Sequence, residues 1–218
     1  MIKEKIKAVL FDMDGVITDS MNFHAESWQK VFFDYGLELK KEAILKREGM
    51  SAISSIIDIF KENGIPLPND EEIKKLREKK LKLFETNTIN IYPYITEILN
   101  FLINKKILLG LVTGSMRRTL MFMLPSEMIN SFTVIVTVDE ITNGKPYPDP
   151  YLLATEQINC KSKDILVIEN APMGILSAKR AGLLCFALET TLPASFLNLA
   201  DKIFKNHTTL YDYLKENL

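Results

Sequence analysis

The first residues in the chain that could act as catalysts are two closely spaced aspartates. Asp12 and Asp14 directly follow the apolar segment 6–11, and further polar groups follow later apolar segments. These further groups are Thr113, Ser115, Lys145, Glu169 and Asn170. Acidic and amide oxygens without histidine or cysteine suit a hard cation such as Mg²⁺, and a lysine and a hydroxyl beside that cation suit a phosphoryl group. The residue types therefore indicate phosphoryl chemistry with magnesium.

Strands and helices alternate over most of the chain and would position these groups. Apolar runs predict strands at 6–11, 107–112, 133–138, 165–168 and 184–188, and helices are predicted at 94–104, 117–124, 150–157, 173–181 and 210–218. This alternation predicts a parallel sheet covered by helices on both faces. Ligands of such sheets bind outside the carboxyl ends of the strands, so the polar groups should meet at one edge.

A helical block interrupts the alternation after the first strand. Apolar residues at helical spacing predict helices at 22–35, around 53–60 and at 71–84, with Gly36 stopping the first. The expected fold class is α/β, a Rossmann-like parallel-sheet core with an inserted all-α cap. The predicted domains are a catalytic core, residues 1–19 and 87–218, and a helical cap domain, residues 20–86.

The composition is that of an ordinary globular protein. The 218 residues carry a formal net charge of −1, with 25% charged and 47% hydrophobic residues, which excludes wholesale disorder and gives no global reason to expect nucleic acid. Cys160 and Cys185 provide neither a disulfide framework nor a metal-binding spacing. Residues 1–7 are too charged for a signal peptide, and no uncharged segment reaches the ~18 residues of a membrane span. We expect a cytoplasmic monomer that binds no membrane.

Four ordered segments resemble the motifs of the haloacid dehalogenase-like (HAD) phosphohydrolase superfamily. They are Asp12-Met13-Asp14-Gly15-Val16, Thr113-Gly114-Ser115, Gly144-Lys145-Pro146 and residues 167–175. The helical block is similar to the small all-helical cap of this superfamily, and residues 19–28 resemble its β-phosphoglucomutase-like branch. That branch contains sugar-phosphate phosphatases, phosphoglycolate phosphatase, β-phosphoglucomutase and an inorganic pyrophosphatase.

The resemblance implies a role for each aspartate. Asp12 would be the nucleophile that attacks phosphorus and forms an aspartyl-phosphate, which divides one difficult step into two. Asp14 would protonate the leaving oxygen and then accept a proton from the water that hydrolyses the intermediate. The backbone carbonyl of Asp14 would also bind Mg²⁺.

The same resemblance implies the phosphate and metal contacts. The phosphate-binding residues would be Thr113, Gly114, Ser115 and Lys145. The Mg²⁺ ligands would be Asp12, Asp14, Glu169 and Asn170, the last two directly or through water. Lys145 would offset the charge that carboxylates and phosphate bring together. Asn170 stands where an acid is common, which should weaken metal binding without abolishing it.

Residues of the helical block leave two interpretations open. His24 is either a packed or hinge residue or a group that acts on the substrate. Glu48 lies in the segment 48–51, where Gly49 either stops a helix or belongs to a substrate-specificity loop that faces the catalytic site. Trp28 is expected in the core between the helices, and the charged run 74–80 is expected to be a solvated helix face.

The predicted function is a Mg²⁺-dependent phosphohydrolase acting on a small phosphorylated metabolite. Mutases of this branch carry an arginine three residues after the loop glycine. No cation follows Gly49 within residues 50–52, although Lys46, Arg47 or a lysine within 74–80 could compensate. Met50 weakens the pyrophosphatase alternative, whereas Glu48 supports it as a further metal ligand.

Two other activities are disfavoured. A catalytically idle relative used for binding or regulation would have no reason to keep Asp12, Asp14, Thr113 and Lys145. Dehalogenation would leave Asp14 without a task, because a leaving halide needs no protonation.

Overall fold

A six-stranded parallel sheet forms the centre of the molecule. The computed structural model describes residues 5–218, so residues 1–4 of the predicted core and of the charged N-terminal segment lie outside the described residues. The strands are β1 (Ala8–Phe11), β2 (Leu108–Val112), β3 (Val134–Val136), β4 (Ile165–Glu169), β5 (Leu184–Leu188) and β6 (Lys202–Phe204). Their order is β3-β2-β1-β4-β5-β6, and every neighbouring pair is parallel.

Helices cover this sheet and form an insertion after β1. The four helices of the insertion are α1 (Met21–Phe33), α2 (Lys41–Leu45), α3 (Ala52–Glu62) and α4 (Asp70–Phe84). The others are α5 (Ile95–Asn104), α6 (Arg117–Met123), α7 (Ser126–Asn130), α8 (Asp149–Ile158), α9 (Pro172–Arg180) and α10 (His207–Asn217). The predicted fold class, a Rossmann-like α/β core with a helical insertion, is confirmed.

Among the strands and α-helices, three short elements were not predicted, and the strands predicted at 6–11, 107–112 and 133–138 are shorter than predicted. β6 spans three residues, and α2 and α7 span five each, so none is long enough to show a clear periodicity. The strand predicted at 133–138 ends at Val136. The Thr137 N–H donates to the Glu140 carboxylate (2.6 Å) and begins a single helical turn instead.

The residues of each strand alternate between the two faces of the sheet. In β1, Val9 and Phe11 pack into one apolar cluster with α5 and α10, whereas Ala8 and Leu10 pack into a second cluster with α8 and α9. This is the period-two pattern of a strand, with apolar residues on both faces because helices cover both. The sheet is therefore a rigid support for whatever follows its strands.

The helical insertion has an apolar cluster of its own. Trp28 and Phe32 of α1 pack with Phe60 of α3 and Leu76 of α4, which confirms the predicted burial of Trp28. The Asn69 and Glu72 side chains form a reciprocal capping box that fixes the start of α4. No helix within residues 5–218 has the length and apolar character needed to cross a bilayer.

Candidate active site

Three neighbouring strands lead to residues predicted to be catalytic, to bind phosphate or to bind the metal. Asp12 follows β1, Thr113 follows β2, and Glu169 is the last residue of β4. The Asp12 N–H donates to the Ile168 carbonyl (2.9 Å), and the Thr113 N–H donates to the Val136 carbonyl (2.9 Å). Because β1 lies between β2 and β4, these residues lie at one edge of the sheet. The structure thus brings together the groups that follow the strands.

Lys145 connects two of these strand ends. Its ammonium group donates to Asp12 Oδ1 (2.6 Å), to Glu169 Oε1 (2.7 Å) and to the Val112 carbonyl (3.1 Å). Burial lowers the pKa of a lysine, but the carboxylates of Asp12 and Glu169 outweigh this effect and hold the pKa of Lys145 above its ordinary value. Lys145 is therefore a fixed cation between two carboxylates.

Asp12 lines a cavity between the sheet edge and the helical insertion. Burial raises the pKa of Asp12 to about 8; Lys145 opposes the increase, and Glu169 and Asp14 add to it. One lysine therefore offsets only part of the negative charge gathered at this edge. Further positive charge at this edge would favour the ionised form of Asp12.

Both carboxylate oxygens of Glu169 are engaged. Oε1 accepts hydrogen bonds from Lys145 (2.7 Å) and the Tyr151 hydroxyl (2.8 Å), and Oε2 accepts from the N–H groups of Asn170 (3.0 Å) and Ala171 (3.3 Å). The sequence left open whether Glu169 would contact the metal directly or through water. Because both of its oxygens already accept hydrogen bonds, this arrangement favours contact through water.

Asp14 accepts hydrogen bonds from three side chains. The donors are the hydroxyls of Ser20 (2.6 Å) and Ser115 (3.0 Å) and Nε2 of His24 (2.9 Å). Burial alone would raise the pKa of Asp14, but His24 and the Ser20 hydrogen bond outweigh it and hold that pKa below its ordinary value. Asp14 is therefore ionised in this arrangement.

His24 connects Asp14 to a lysine of α4. Lys80 Nζ lies 2.6 Å from His24 Nδ1, and the imidazole stacks on Phe84 with ring centroids 4.1 Å apart. An ammonium group can only donate, so Nδ1 accepts and Nε2 carries the hydrogen that Asp14 receives. Burial and the charge of Lys80 lower the pKa of His24, which agrees with a neutral ring. Of the two interpretations left open, the structure favours the one in which His24 reaches the site.

The prediction that the run 74–80 is a solvated helix face is wrong for two of its residues. Lys74, Lys75, Glu78 and Lys79 are exposed, but Arg77 and Lys80 are partly buried and line the cavity. Burial lowers the pKa of Lys80 to about 8. The signal was present in the sequence, because Lys80 has helical spacing with the buried Leu76 and Phe84.

The loop between α2 and α3 lies against the sheet edge. Gly49 has a φ of +83°, a conformation that favours glycine, and a Cβ built on Gly114 would lie 2.7 Å from the Gly49 carbonyl oxygen. Ser51 N-caps α3 by accepting a hydrogen bond from the Ser54 N–H (3.1 Å). The helical insertion is thus closed over the strand ends, and the loop faces the site.

Two buried oxygen atoms at this edge have no hydrogen-bond partner among residues 5–218. They are Asn170 Oδ1 and Glu48 Oε2, whereas Asn170 Nδ2 donates to Glu48 Oε1 (2.9 Å). Leaving such an atom unpaired costs about 1–3 kcal/mol. Burial raises the pKa of Glu48 well above its ordinary value, although the Asn170 hydrogen bond opposes this. A hard cation with oxygen ligands would satisfy both atoms.

The residues at this edge therefore fit a Mg²⁺ ion. The candidate ligands are Asp12, the Asp14 carbonyl, Asn170 and Glu48, with Glu169 behind them. No cluster of three or more histidine, cysteine, aspartate or glutamate side chains in the described part of the chain is arranged to hold a metal. This set relies instead on an amide oxygen and a backbone carbonyl.

The segment 113–115 connects β2 to α6 and lies beside both aspartates. Thr113 Oγ1 accepts a hydrogen bond from the Ser115 N–H (3.0 Å), and the Ser115 hydroxyl donates to Asp14. Gly114 has no room for a side chain because the loop of the insertion covers it. The N-cap of α6 is Met116, so Thr113 does not cap that helix.

Sequence reasoning did not identify two residues that the site uses, and it named a third, Lys80, only as one of several lysines that could compensate for a missing loop cation. Ser20 hydrogen-bonds Asp14, Tyr151 hydrogen-bonds Glu169, and Lys80 reaches His24. Ser20 and Tyr151 carry no signal in the sequence, because each contact joins residues that only the fold brings together. Lys80 could have been identified from its position on the apolar side of α4.

The chain resembles known proteins over most of its length. Residues 9–188 match the family model for haloacid dehalogenase-like hydrolases. A phosphorylated carbohydrates phosphatase from Thermotoga maritima is 31% identical over 185 residues, 82% of this chain and 82% of that protein. Pyrophosphatase PpaX from Oceanobacillus iheyensis is 28% identical over 188 residues, 86% of this chain and 85% of that protein.

A solved structure shows the same fold. The β-phosphoglucomutase from Clostridium difficile matches with a TM-score of 0.84 at 23% identity, covering 97% of this chain and 96% of that one. The motifs quoted from the sequence fall within the matched residues 9–188. The chain belongs to the haloacid dehalogenase-like hydrolase family, and it is similar to proteins named as β-phosphoglucomutases.

Proposed function

We propose that the protein is a Mg²⁺-dependent phosphohydrolase that acts on a small phosphorylated metabolite through an aspartyl-phosphate. The observation that carries this proposal is the pair Asp12 and Asp14. Asp12 lines the cavity with Oδ1 fixed by Lys145, and Asp14 is held by Ser20, Ser115 and His24. When bound, Mg²⁺ would neutralise charge on the phosphoryl group and on Asp12.

The two aspartates would divide the chemistry. Asp12 attacks phosphorus, the bond to the leaving oxygen breaks, and the phosphoryl group is transferred to the Asp12 carboxylate. This first step requires a proton on Asp14, which His24 and Ser20 disfavour; Asp14 gives that proton to the leaving oxygen and becomes ionised. Water then attacks the phosphorus, Asp14 takes its proton, and Asp12 is released with free phosphate. The three donors around Asp14 stabilise the ionised form that the second step requires.

The cavity supports a small substrate. Its volume is about 160 Å³, close to the ~150 Å³ of a cavity that holds benzene. Space for about one six-membered ring beside Asp12 and Asp14 suits a short or monocyclic phosphate ester rather than a polymer.

Pyrophosphate is a second candidate substrate, because of Glu48. This carboxylate is buried beside Asn170, and its Oε2 has no partner within residues 5–218. An additional anionic ligand would strengthen the binding of a metal that accompanies a highly charged substrate. Glu48, once ionised by a bound cation, would also restore the negative charge that Asn170 lacks.

A phosphomutase activity finds less support. The loop after Gly49 has no cation, Lys46 lies over Phe196, and Arg47 donates to Asp58 (2.6 Å) and to Glu62 within the insertion. The two cations suggested near the loop are therefore engaged elsewhere. With β-glucose 1-phosphate and catalytic glucose 1,6-bisphosphate, we expect free phosphate; glucose 6-phosphate without phosphate release would establish a mutase instead.

The test of the proposed function is phosphate release with the wild type and with Asp12→Asn. A screen over phosphosugars, phosphoglycolate, nucleotides and pyrophosphate should show release with Mg²⁺ and none with excess EDTA. Asp12→Asn should abolish release with an unchanged melting temperature, because an amide is nearly isosteric but a poor nucleophile. Asp212→Asn, on the exposed side of α10, is the matched control. Turnover near wild type by folded Asp12→Asn would refute the proposal.

A further inference from the structure

Arg77 is a guanidinium group in the cavity without an oxygen partner. Among residues 5–218 its only hydrogen bond is to the Met116 sulfur, at 3.5 Å, and a thioether is a weak acceptor. Every other arginine donates to a carboxylate or carbonyl oxygen; these are Arg47, Arg117, Arg118 and Arg180. The donors of Arg77 therefore remain available to a ligand.

Arg77 lies on the Asp14 side of the cavity. It precedes Lys80 by three residues on α4, and residues at this spacing are neighbours on a helix surface. Lys80 reaches His24, which donates to Asp14. The partner of Arg77, Met116, directly follows Ser115, which also donates to Asp14. The contact with Met116 and the helical spacing from Lys80 thus both place Arg77 towards the groups that hold Asp14, the aspartate that faces the leaving oxygen in the proposed function.

The chemistry of the guanidinium group defines what it would bind. Its planar donors match a carboxylate or phosphate with two parallel hydrogen bonds. Apolar side chains such as Trp28, Met50 and Ile53 also line the cavity. Lys80, the other cation of α4 that lines it, contacts His24, so Arg77 offers its planar donors to a charged group of a substrate.

We propose that Arg77 binds a second oxyanion on the leaving portion of the substrate. The favoured substrate class is a small phosphate ester whose alcohol portion carries a carboxylate or a second phosphate. This inference rests on the proposed function, because it takes Asp14 as the residue next to the leaving oxygen.

The test compares anionic and neutral substrates of matched length. Carboxyalkyl phosphates and diol bisphosphates with two to four carbons are each paired with the alkyl phosphate of equal chain length. In the wild type, kcat/KM for the anionic member should exceed that for the neutral member by about 10-fold or more, the effect of a charge-assisted hydrogen bond. In Arg77→Met this ratio should fall towards one, mainly through KM, and Arg77→Lys should restore part of it.

The two anionic series distinguish the source of the oxyanion. A larger loss of preference in the carboxyalkyl series identifies a carboxylate, and a larger loss in the bisphosphate series identifies a second phosphate. Lys75→Met removes a charge from the exposed face of the same helix and should leave the ratio unchanged. An unchanged ratio in folded Arg77→Met overturns the inference.

Binding measurements separate this inference from the proposed function. Carboxyalkyl phosphonates and alkyl phosphonates are not hydrolysed by phosphate transfer, so calorimetry with Mg²⁺ reports binding even if no ester is turned over. Tighter binding of the carboxyalkyl phosphonate by the wild type, lost in Arg77→Met, supports the role of Arg77 whether or not hydrolysis occurs. Equal affinities for both phosphonates in the wild type overturn it.

Discussion

Asp12 and Asp14 are separated by one residue but have opposite environments. Burial and two further carboxylates raise the pKa of Asp12 to about 8 against the effect of Lys145, whereas imidazole and hydroxyl donors lower the pKa of Asp14. Pairs of acids whose surroundings move their pKa values apart are typical of acid–base sites. Here the raised pKa marks Asp12 as the carboxylate that most needs additional positive charge.

Asn170→Asp tests the metal site at the residue scale. Asn170 Nδ2 donates to Glu48 Oε1 (2.9 Å), so an aspartate would place two carboxylates in contact. Without metal we expect a lower melting temperature, by about 2–4 °C for each kcal/mol lost. With Mg²⁺ the added charge should tighten binding, so the increase in melting temperature between EDTA and MgCl₂ should exceed that of the wild type.

The control for this prediction is Asn130→Asp. Asn130 is exposed at the end of α7, before the amino end of β3. Its substitution adds the same charge away from the carboxyl ends of the strands, where the metal ligands are proposed. The same Mg²⁺ response in wild type and Asn170→Asp would show that Asn170 is not a ligand.

At the scale of elements, the loop between α2 and α3 completes the site by lying on Gly114. A Cβ on Gly114 would lie 2.7 Å from the Gly49 carbonyl oxygen and 3.3 Å from that of Met50. Both contacts are to backbone, which cannot move aside as a flexible side chain can. The close approach of core and insertion therefore depends on this glycine.

Gly114→Ala should prevent closure while leaving the core intact. Misplacing the loop by about 1 Å can cost about 100-fold in kcat, and the melting temperature should change little because the added methyl group faces the insertion. Gly144→Ala is the matched control, since its nearest neighbour would be Ser51 at 3.7 Å, an ordinary contact. Phosphate release in the wild-type range by Gly114→Ala would show that closure on Gly114 is not required for turnover.

The sequence predicted elements whose pattern is local and missed contacts that depend on the fold. The strands carrying Asp12 and Glu169 were recognised because they are continuous apolar runs of ordinary length. The contact of Lys80 with His24 was not predicted: the spacing with Leu76 and Phe84 places Lys80 on the apolar side of α4, but the residue that it meets there depends on the fold. The contact of Ser20 with Asp14 likewise depends on where α1 begins relative to β1.

On the scale of the whole molecule, the site is shared between two parts of the chain. The sheet edge provides Asp12, Asp14 and Lys145, and the helical insertion provides His24 and Lys80. Lys80 is partly buried against His24 and Phe84, and burial lowers its pKa from 10.5 to about 8. Burying a cation destabilises the folded state, so the buried Lys80 lowers the free energy of unfolding of the protein.

This burial predicts a pH dependence that Lys80→Met should remove. Below pH about 8, Lys80 is protonated in the folded and unfolded chains, so its contribution to the free energy of unfolding does not change with pH. Between about 8 and 10.5 only the unfolded chain keeps this proton, so this group makes the free energy of unfolding rise with pH. The free energy of unfolding of wild type minus that of Lys80→Met should therefore be larger at pH 9.5 than at pH 7. Urea titrations at both pH values measure the free energy of unfolding of each protein. Subtracting the value of Lys80→Met from that of the wild type removes the contributions of groups that titrate equally in both proteins, such as Asp12. A difference that stays constant or decreases with pH would mean that Lys80 is not buried as a destabilised cation.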